Sequence, residues 1–324
     1  MMDWSDRHCR FFHRLLTRHA RLYTEMVSTG ALLHGDVSRH LDFDAAEQPL
    51  ALQLGGSEPA DLAACAKLAR RWRYDEINLN CGCPSERVQR GAFGACLMAE
   101  PALVRDGVAA MRDAVGDDLP VTVKHRLGIG KDEHYGFVRD FVGTVADGGC
   151  EVFIVHARNA WLQGLSPKEN REVPPLRYDV VHRLKRDFPR FTFVLNGGLT
   201  DTAETAAQLA IVDGAMWGRE AYRHPWKLAE WDVALLGATA PAARSREAVE
   251  QSMVAYMERE RRERGTPWPS IARHMMGLYD GVPGARRWRQ VWSDHRLKMQ
   301  SPAEVAVLAR RALATSTRGE AVAA

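Results

Sequence analysis

A cysteine in a short loop is the residue of this 324-residue chain best suited to deliver a proton. The loop reads Asn-Cys-Gly-Cys-Pro from Asn80 to Pro84, and it follows a run of apolar residues that predicts a buried strand. A thiol with the ordinary pKa of about 8.5 is mostly protonated at neutral pH. Cys83 can therefore act as a general acid, as long as no neighbouring base removes its proton. For Cys81 we expect a buried structural role.

A lysine at the end of a second apolar run offers another kind of chemistry. Lys124 closes the segment Val-Thr-Val-Lys. A lysine amine in a desolvated site can form a Schiff base with a carbonyl substrate, as in aldolases. It can also hold negative charge on a reduced cofactor. The residue spacing does not distinguish between these two roles.

Polar side chains end nearly every predicted strand, which packing alone does not explain. These strand-end residues are Gln53, Asn80, Lys124, His156 and Asn196. Two of the following loops expose glycine, at Gly197-Gly198 and at Gly218-Arg219. Glycine lets backbone N–H groups approach an anion closely, and the last two loops of a (β/α)8 barrel are the usual phosphate site. The two loops together predict a phosphate-binding site.

The elements that must position these residues alternate between short buried strands and longer helices. The predicted strands are Leu22–Met26, Leu50–Leu54, Glu76–Asn80, Val121–His125, Val152–His156, Phe191–Asn196 and Gly214–Trp217. The predicted helices between and before them are Arg7–Arg18, Pro59–Arg71, Pro101–Val115, His134–Asp147, Pro175–Phe188 and Thr202–Ala210. This alternation is typical of a parallel α/β sheet, and it predicts a (β/α)8 barrel with its active site at the carboxyl ends of the strands. Seven strands are one fewer than the barrel needs, so we expect the first strand to precede Met1.

The character of the chain changes after about residue 235. Small residues and proline fill Leu236–Arg244, as in a linker, and helical apolar spacing follows in Glu247–Arg262, Ile271–Tyr279 and Pro302–Leu313. We therefore predict a catalytic barrel domain over residues 1–236. A small helical domain is predicted over residues 237–324.

Composition excludes several other classes of protein. No apolar run approaches the roughly 18–20 residues that span a bilayer, and the first residues do not resemble a signal peptide. We expect a soluble, cytoplasmic protein and a monomer. The six cysteines then predict free thiols rather than disulfides. Cys81 and Cys83 lack the second pair of ligands that a zinc site requires, so we expect no metal.

The net charge of +3 does not by itself indicate a nucleic-acid partner, but its distribution does. Residues 284–298 concentrate arginine and lysine around Trp288 and Trp292. A basic run of this kind is often only the solvated face of a helix. The aromatic residues within it favour RNA binding instead.

The motifs together resemble the tRNA-dihydrouridine synthases, and in particular their bacterial A-type subfamily. The barrel motifs that carry the resemblance are INLNCGCP, VTVKHRLGIG, FIVHAR, LNGG and MWGR. The subfamily motifs are MDWSDRHCRFFHRLL, YTEMVSTGALLHGD, LQLGGSEP, RVQRGAFGACLMAEP, WLQGLSPKENREVPPLRYD and IARHMMGLYDGVPGARRWR. Because these motifs are long and follow one another in the same order, the resemblance covers nearly the whole chain.

The resemblance implies a reaction and a role for each site residue. The enzyme would reduce uridine to 5,6-dihydrouridine in the D-loop of tRNA, around position 20, with FMN as cofactor and NADPH as reductant, and Cys83 would be the catalytic acid. The residues implied to bind FMN are Met1, Met2, Gln53, Lys124, His156, Asn196, Gly197, Gly198, Gly218 and Arg219. Those implied to contact tRNA are Asn80, which faces the target base, and Lys168, Asn170, Arg171, Arg286 and Arg289. It also implies an upstream strand that ends in Ala-Pro-Met.

Three other functions fit part of the sequence. A different FMN barrel enzyme, such as a dihydroorotate dehydrogenase, shares the phosphate loops and the strand-end lysine but needs no basic carboxyl-terminal module. A Schiff-base aldolase built on Lys124 would be trapped by borohydride with a keto substrate. A non-catalytic RNA-binding protein would fit the expected absence of the first strand but not the retained Cys83.

Overall fold

The computed structural model describes residues 1–132 and 134–320. Its strands are β1 (Leu22–Ser28), β2 (Leu50–Gly55), β3 (Glu76–Cys81), β4 (Val121–His125), β5 (Val152–His156), β6 (Thr192–Asn196) and β7 (Gly214–Met216). Its α-helices are α1 (Arg7–Leu16), α2 (Thr29–His34), α3 (Val37–Leu41), α4 (Pro59–Arg71), α5 (Glu86–Arg90), α6 (Pro101–Val115), α7 (Tyr135–Ala146), α8 (Tyr178–Asp187), α9 (Thr202–Leu209), α10 (Arg219–Arg223), α11 (Trp231–Leu236), α12 (Arg246–Arg264), α13 (Trp268–Ala272), α14 (Ala285–Trp292) and α15 (Pro302–Glu320).

The seven strands form one parallel sheet in sequential order, which confirms the predicted α/β barrel class. Each strand pairs with the next along the chain, and β1 and β7 are the edge strands. Sequential parallel pairing with intervening helices is the topology of a (β/α)8 barrel. The carboxyl ends of all seven strands therefore lie at one end of the sheet, which we call the mouth, and their amino ends lie at the floor.

The outward faces of the strands form the core with the surrounding helices. Ile77, Leu79 and Val123 alternate with inward-facing residues and are fully buried among helical side chains such as Leu62 and Val142. A period of two is expected for a strand with two different faces. The outward positions are thus apolar, whereas the inward positions of β3 and β4 are mostly polar.

The predicted domain boundary at residues 236 and 237 differs from the division in the structure. The chain divides into a barrel unit, Met1–Asp3 with Arg21–Gly218, and a helical unit, Trp4–Ala20 with the chain from Arg219 onward. The buried carboxylate of Asp232 in α11 accepts hydrogen bonds from the Thr17 hydroxyl and the Arg18 N–H. Because these bonds join residues far apart in sequence, α1 belongs to the helical unit.

One predicted helix is wrong. Ile271–Tyr279 was expected to be a single helix, but α13 ends at Ala272 and a short 3-10 turn follows. The backbone at Gly277 packs so closely on the Arg223 carbonyl that a Cβ there would lie 2.3 Å from its oxygen. The chain therefore turns where the apolar spacing indicated continued helix.

Candidate active site at the mouth of the barrel

Strand register brings the predicted strand-end residues together. Asn80 lies beside Lys124 on neighbouring strands, and His156 lies beside Asn196. These four side chains share the inward face of the sheet at its mouth. His125, which follows Lys124, points the other way and packs against Phe141 and Phe153. Period-two alternation separates the site residues from the core in this way.

Lys124 is an amine whose protonated form is disfavoured by its surroundings. Its Nζ donates to Asn196 Oδ1 at 2.8 Å, and Asn196 Nδ2 donates to the Met216 carbonyl at 2.9 Å. Burial lowers the pKa of Lys124 to about 7, and the positive charge of Arg126 acts in the same direction. Lys124 therefore changes its charge near neutral pH, and a bound anion would restore its proton.

His156 presents a neutral ring to the mouth. Burial, and after it the charges of Arg126 and Lys124, hold its pKa well below the usual value. In the part of the chain that the structure describes, no side-chain hydrogen bond is formed to its ring. One ring nitrogen can donate to a ligand and the other can accept.

The loop after β6 has a backbone that only glycine allows without strain. Gly197 and Gly198 have φ of +107° and +76°. A Cβ on Gly197 would lie 2.6 Å from the His156 ring, and one on Gly198 would lie 2.4 Å from Leu176. The Tyr178 hydroxyl donates to the Gly197 carbonyl at 2.6 Å and holds the loop in place. Around Gly218, after β7, a Cβ would meet nothing within 4 Å. The first loop is tightly fitted, and the second leaves open space.

The loop that carries Cys83 is held by a strand residue. Asn80 Oδ1 accepts the N–H groups of Gly82 at 3.0 Å and of Cys83 at 2.9 Å. The Cys83 thiol is partly exposed and lies 3.6 Å from Ser85 Oγ. Cys81 is fully buried, and burial raises the pKa of its thiol far above the ordinary value, which confirms its structural role.

Two residues predicted to contact ligands, Asn80 and Gln53, already form hydrogen bonds within the protein. Asn80 Nδ2 donates to Gln53 Oε1 at 2.9 Å, and Gln53 Nε2 donates to Asn78 Oδ1 at 2.8 Å. A carboxamide has two N–H groups and two lone pairs, so each side chain retains hydrogen-bonding capacity. Asn80 is therefore first a support of the Cys83 loop, whatever it contacts in a complex.

Arg126 is a central residue of the site that the sequence analysis missed. Its buried guanidinium donates to the carbonyls of Gly82 at 3.1 Å, Asn159 at 3.2 Å and Asn170 at 2.8 Å. Burial lowers its pKa to about 10, and the nearby Cys83 opposes this shift. Its place two residues after Lys124 was the available signal, but a strand-end arginine alone does not reveal which loops it joins.

The segment predicted to contact tRNA between β5 and α8 has one buried member. Asn170 is fully buried, its Oδ1 accepts the Trp161 N–H, and its Nδ2 donates to the Trp161 carbonyl, both at 2.8 Å. We therefore revise its role from direct RNA contact to support of the loop. Lys168 is exposed and Arg171 is partly exposed.

The basic segment of the helical unit also differs from its prediction. Trp288 and Trp292 are buried, and both indole N–H groups donate to Glu250 Oε1, at 2.8 and 3.0 Å. They are core residues and not a stacking surface for bases. Arg286 is exposed, whereas Arg289 pairs with Asp280 at 2.6 Å. The exposed surface of α14 is thus basic but not aromatic.

The remaining predicted positions have less defined surroundings. Met2 is exposed, and Met1 is partly exposed. Arg219 begins α10 in the helical unit, directly after Gly218. In residues 1–132 and 134–320 there is no cluster of three or more potential metal ligands. Within the same residues, no helix is long and apolar enough to cross a membrane.

The fold and the mouth define a class of protein. A parallel barrel carries a partly exposed thiol, an amine with a near-neutral pKa, a neutral imidazole and a glycine loop at the carboxyl ends of its strands. That end is where barrel enzymes bind their substrates. The fold is thus that of a barrel enzyme, and the mouth is its candidate active site.

Comparison with known proteins identifies the family. The model of the family "Dihydrouridine synthase (Dus)" matches residues 1–314. The tRNA-dihydrouridine(20/20a) synthase of Pseudomonas putida is 57% identical over 308 residues, which cover 94% of this chain and 90% of the relative. The synthase of the same name from Shewanella oneidensis is 53% identical over 315 residues, covering 97% and 92%. The chain belongs to the dihydrouridine synthase family, whose members are oxidoreductases.

A solved structure shares the fold. The complex of 2-naphthoyl-CoA reductase with 2-naphthoyl-CoA superposes with a TM-score of 0.52 at 11% identity. The match covers 71% of this chain and 47% of that one. At this identity the likeness concerns the fold alone.

Proposed function

We propose that the protein is an FMN-dependent enzyme that reduces uridine to 5,6-dihydrouridine in the D-loop of tRNA, around positions 20 and 20a, with NADPH as reductant. Family membership and the names of its relatives support the substrate. The observation that carries the mechanism is the Cys83 loop, because a partly exposed thiol is held at the same mouth as Lys124 and His156.

The residues at the mouth fit a planar, anionic cofactor. Lys124 would face the ring and the negative charge that reduction adds to it. Burial lowers the pKa of this amine, and an anion beside it would raise that pKa again, so that the amine stays protonated. The neutral ring of His156 and the second N–H of Gln53 remain to bond the cofactor. Gly197 and Gly198 have no side chain that could keep a phosphate away from the backbone N–H groups, and their positive φ angles favour glycine. Bound FMN would supply the hydride for C6 of the uracil, with its electrons taken from NADPH.

Cys83 supplies the other half of the reduction. Its thiol gives a proton to C5 of the uracil, so that the C5–C6 double bond gains one hydride and one proton. The thiolate that remains regains its proton from water. The uridine has to leave the RNA stack to enter the mouth. Asn80 holds the backbone of the residue that carries the thiol, through the Cys83 N–H.

The RNA is held on surfaces that carry exposed positive charge. Lys168 and Arg171 lie on the loop that Asn170 supports, in the barrel unit. Arg286 lies on α14 of the helical unit. Phosphate contacts from such residues fix an RNA without reading its sequence. We propose that both segments contact tRNA, and that Arg289 contributes once its pair with Asp280 opens.

The test is dihydrouridine formation on unmodified tRNA with FMN and NADPH. We expect product from the wild type, near-complete loss in Cys83→Ala, and no loss in Cys96→Ala, because Cys96 is the other partly exposed cysteine and serves as a matched control. Reduction of the flavin by NADPH should continue in Cys83→Ala, since the thiol acts only on the uridine. Full activity of Cys83→Ala would refute the assignment of the acid. No product from any of the three proteins would refute the proposed reaction.

A further inference from the structure

The interior of the barrel contains a line of polar side chains from the mouth to the floor. Bulky apolar residues usually fill this space in (β/α)8 barrels. Here the inward positions of β2, β3 and β4 include Gln53, Asn78, Thr122 and Glu76, and the last three are almost completely buried. A buried amide or hydroxyl without a partner costs about 1–3 kcal/mol. Polar groups at these positions need an explanation beyond packing.

The polar side chains form one continuous chain of hydrogen bonds. Asn80 Nδ2 donates to Gln53 Oε1 at 2.9 Å, and Gln53 Nε2 donates to Asn78 Oδ1 at 2.8 Å. Asn78 Nδ2 donates to Thr122 Oγ1 at 2.8 Å, and the Thr122 hydroxyl donates to Glu76 Oε1 at 2.7 Å. We call this series the interior chain.

The carboxylate at the floor gives the interior chain its direction. Glu76 pairs with Arg21, and its Oε1 also accepts the Tyr23 hydroxyl at 2.8 Å. A carboxylate can only accept, so the single hydroxyl proton of Thr122 points to it, and the Ile77 carbonyl at 3.4 Å is the more distant alternative. Thr122 must then accept from Asn78. Asn78 therefore turns its Nδ2 to Thr122 and its Oδ1 to Gln53, and Gln53 in turn directs its Nε2 to Asn78 and its Oε1 to Asn80.

At the mouth the interior chain ends on the loop of the catalytic acid. Gln53 presents its Oε1 to Asn80, so the NH2 group of Asn80 must face Gln53. The Oδ1 of Asn80 then faces the loop, where it accepts the N–H groups of Gly82 and Cys83. A reversed carboxamide would present N–H to N–H and would release the loop. The orientation at the mouth therefore depends on the carboxylate at the floor.

We propose that Thr122 and Glu76 are positioning residues for Cys83, acting through the interior chain although neither faces the mouth. The proposal rests on the proposed function of Cys83 as the acid. An apolar pair in place of two hydrogen-bonded partners is often neutral for stability, so stability alone does not account for a chain of buried polar groups. Orientation of a reacting group does account for it, because a misplacement of about 1 Å costs up to about a hundredfold in rate.

The test compares Thr122→Val, which keeps the shape but removes the hydroxyl, with Thr122→Ser, which keeps the hydroxyl. Flavin-loaded enzyme is reduced anaerobically and mixed with saturating unmodified tRNA, and the single-turnover rate of dihydrouridine formation is measured. We expect about a ten- to hundredfold lower rate in Thr122→Val and the wild-type rate in Thr122→Ser. A wild-type rate in Thr122→Val, even with a lower melting temperature, would show that Thr122 is only structural.

A second readout does not depend on the reaction. The rate of alkylation of Cys83 by iodoacetamide is followed against pH by peptide mass spectrometry, with Cys96 in the same samples as internal control. Loss of the Cys83 N–H bond should shift the Cys83 profile in Thr122→Val but not in Thr122→Ser, and Cys96 should not change. Unchanged profiles would overturn the proposal. If instead Cys83→Ala is fully active while the profile shifts, the assignment of the acid is wrong and the interior chain stands.

A double variant guards against poor folding of Thr122→Val. That change leaves Asn78 Nδ2 without its buried acceptor, whereas Asn78→Leu with Thr122→Val removes donor and acceptor together. The double variant also cuts the interior chain, so the same loss of rate and the same shift of the alkylation profile are expected. Wild-type behaviour of the folded double variant would also overturn the proposal.

Discussion

The lowered pKa of Lys124 predicts how the stability of the protein depends on pH. Burial lowers its pKa from 10.5 to about 7 in the folded protein. Between these values the unfolded chain binds one proton more than the folded chain, so the free energy of unfolding rises with pH. Lys124→Met has no such proton. The difference in stability between wild type and Lys124→Met should therefore shift in favour of the wild type as pH rises above 7.

The size of the shift follows from the two pKa values. From pH 7 to pH 9 the linkage relation gives a gain of about 2 kcal/mol for the wild type relative to the variant. Lys124 is not completely enclosed, and water in the mouth weakens the effect of burial, so we expect about 1–2 kcal/mol. The gain should approach its limit as the pH nears the pKa of the unfolded lysine.

The assay is urea unfolding of flavin-free protein at pH 7, 8 and 9. Each wild-type value is compared with Lys124→Met at the same pH, which cancels the contributions of all other titrating groups. The exposed lysine variant Lys67→Met is the matched control and should show no trend. A difference that stays constant, or that moves against the wild type with rising pH, would show that Lys124 is not desolvated in the folded state.

Three further predictions concern other parts of the chain. Gly218→Ala should leave stability unchanged but weaken FMN binding. Gly197→Ala should weaken FMN binding and also lower stability by about 1–3 kcal/mol, because the φ of Gly197 is positive and its Cβ would meet the His156 ring. Calorimetry of both variants with FMN would check this. Arg286→Ala should weaken tRNA binding and reduce the slope of log affinity against log salt by about 1, while Arg262→Ala should not; equal slopes in a filter-binding titration would contradict the RNA contact. Trp288→Phe should cost about 1–3 kcal/mol in thermal unfolding, because a buried carboxylate loses a donor.

The strands were predictable because their outward residues are apolar and most of the segments are short and rich in Val, Ile, Leu and Phe. Each predicted strand is present to within a few residues, and Asn80, Lys124, His156 and Asn196 face the mouth as a group. The interior chain was not predicted, although its signal is visible. Glu76, Asn78 and Asn80 alternate with Ile77 and Leu79, and a period of two in a strand with polar interior residues marks a face with its own hydrogen bonds.

Other features depend on contacts that are distant in sequence. The basic run around Trp288 and Trp292 was read as an aromatic surface, but residues four apart on a helix share one face and both are buried against Glu250. The place of α1 in the helical unit depends on Asp232, more than two hundred residues away. Local pattern carries no information on which side chain far along the chain completes a hydrogen bond.

The guanidinium of Arg126 has a mechanical consequence. It ties the Gly82 carbonyl, next to Cys83, to the Asn170 carbonyl in the loop of Lys168. A displacement of either loop would have to break these hydrogen bonds or displace the other loop as well. A lysine in its place could not span the same carbonyls, since its donors share one atom. The segment proposed to contact the RNA and the segment that carries Cys83 are thus mechanically coupled through one side chain.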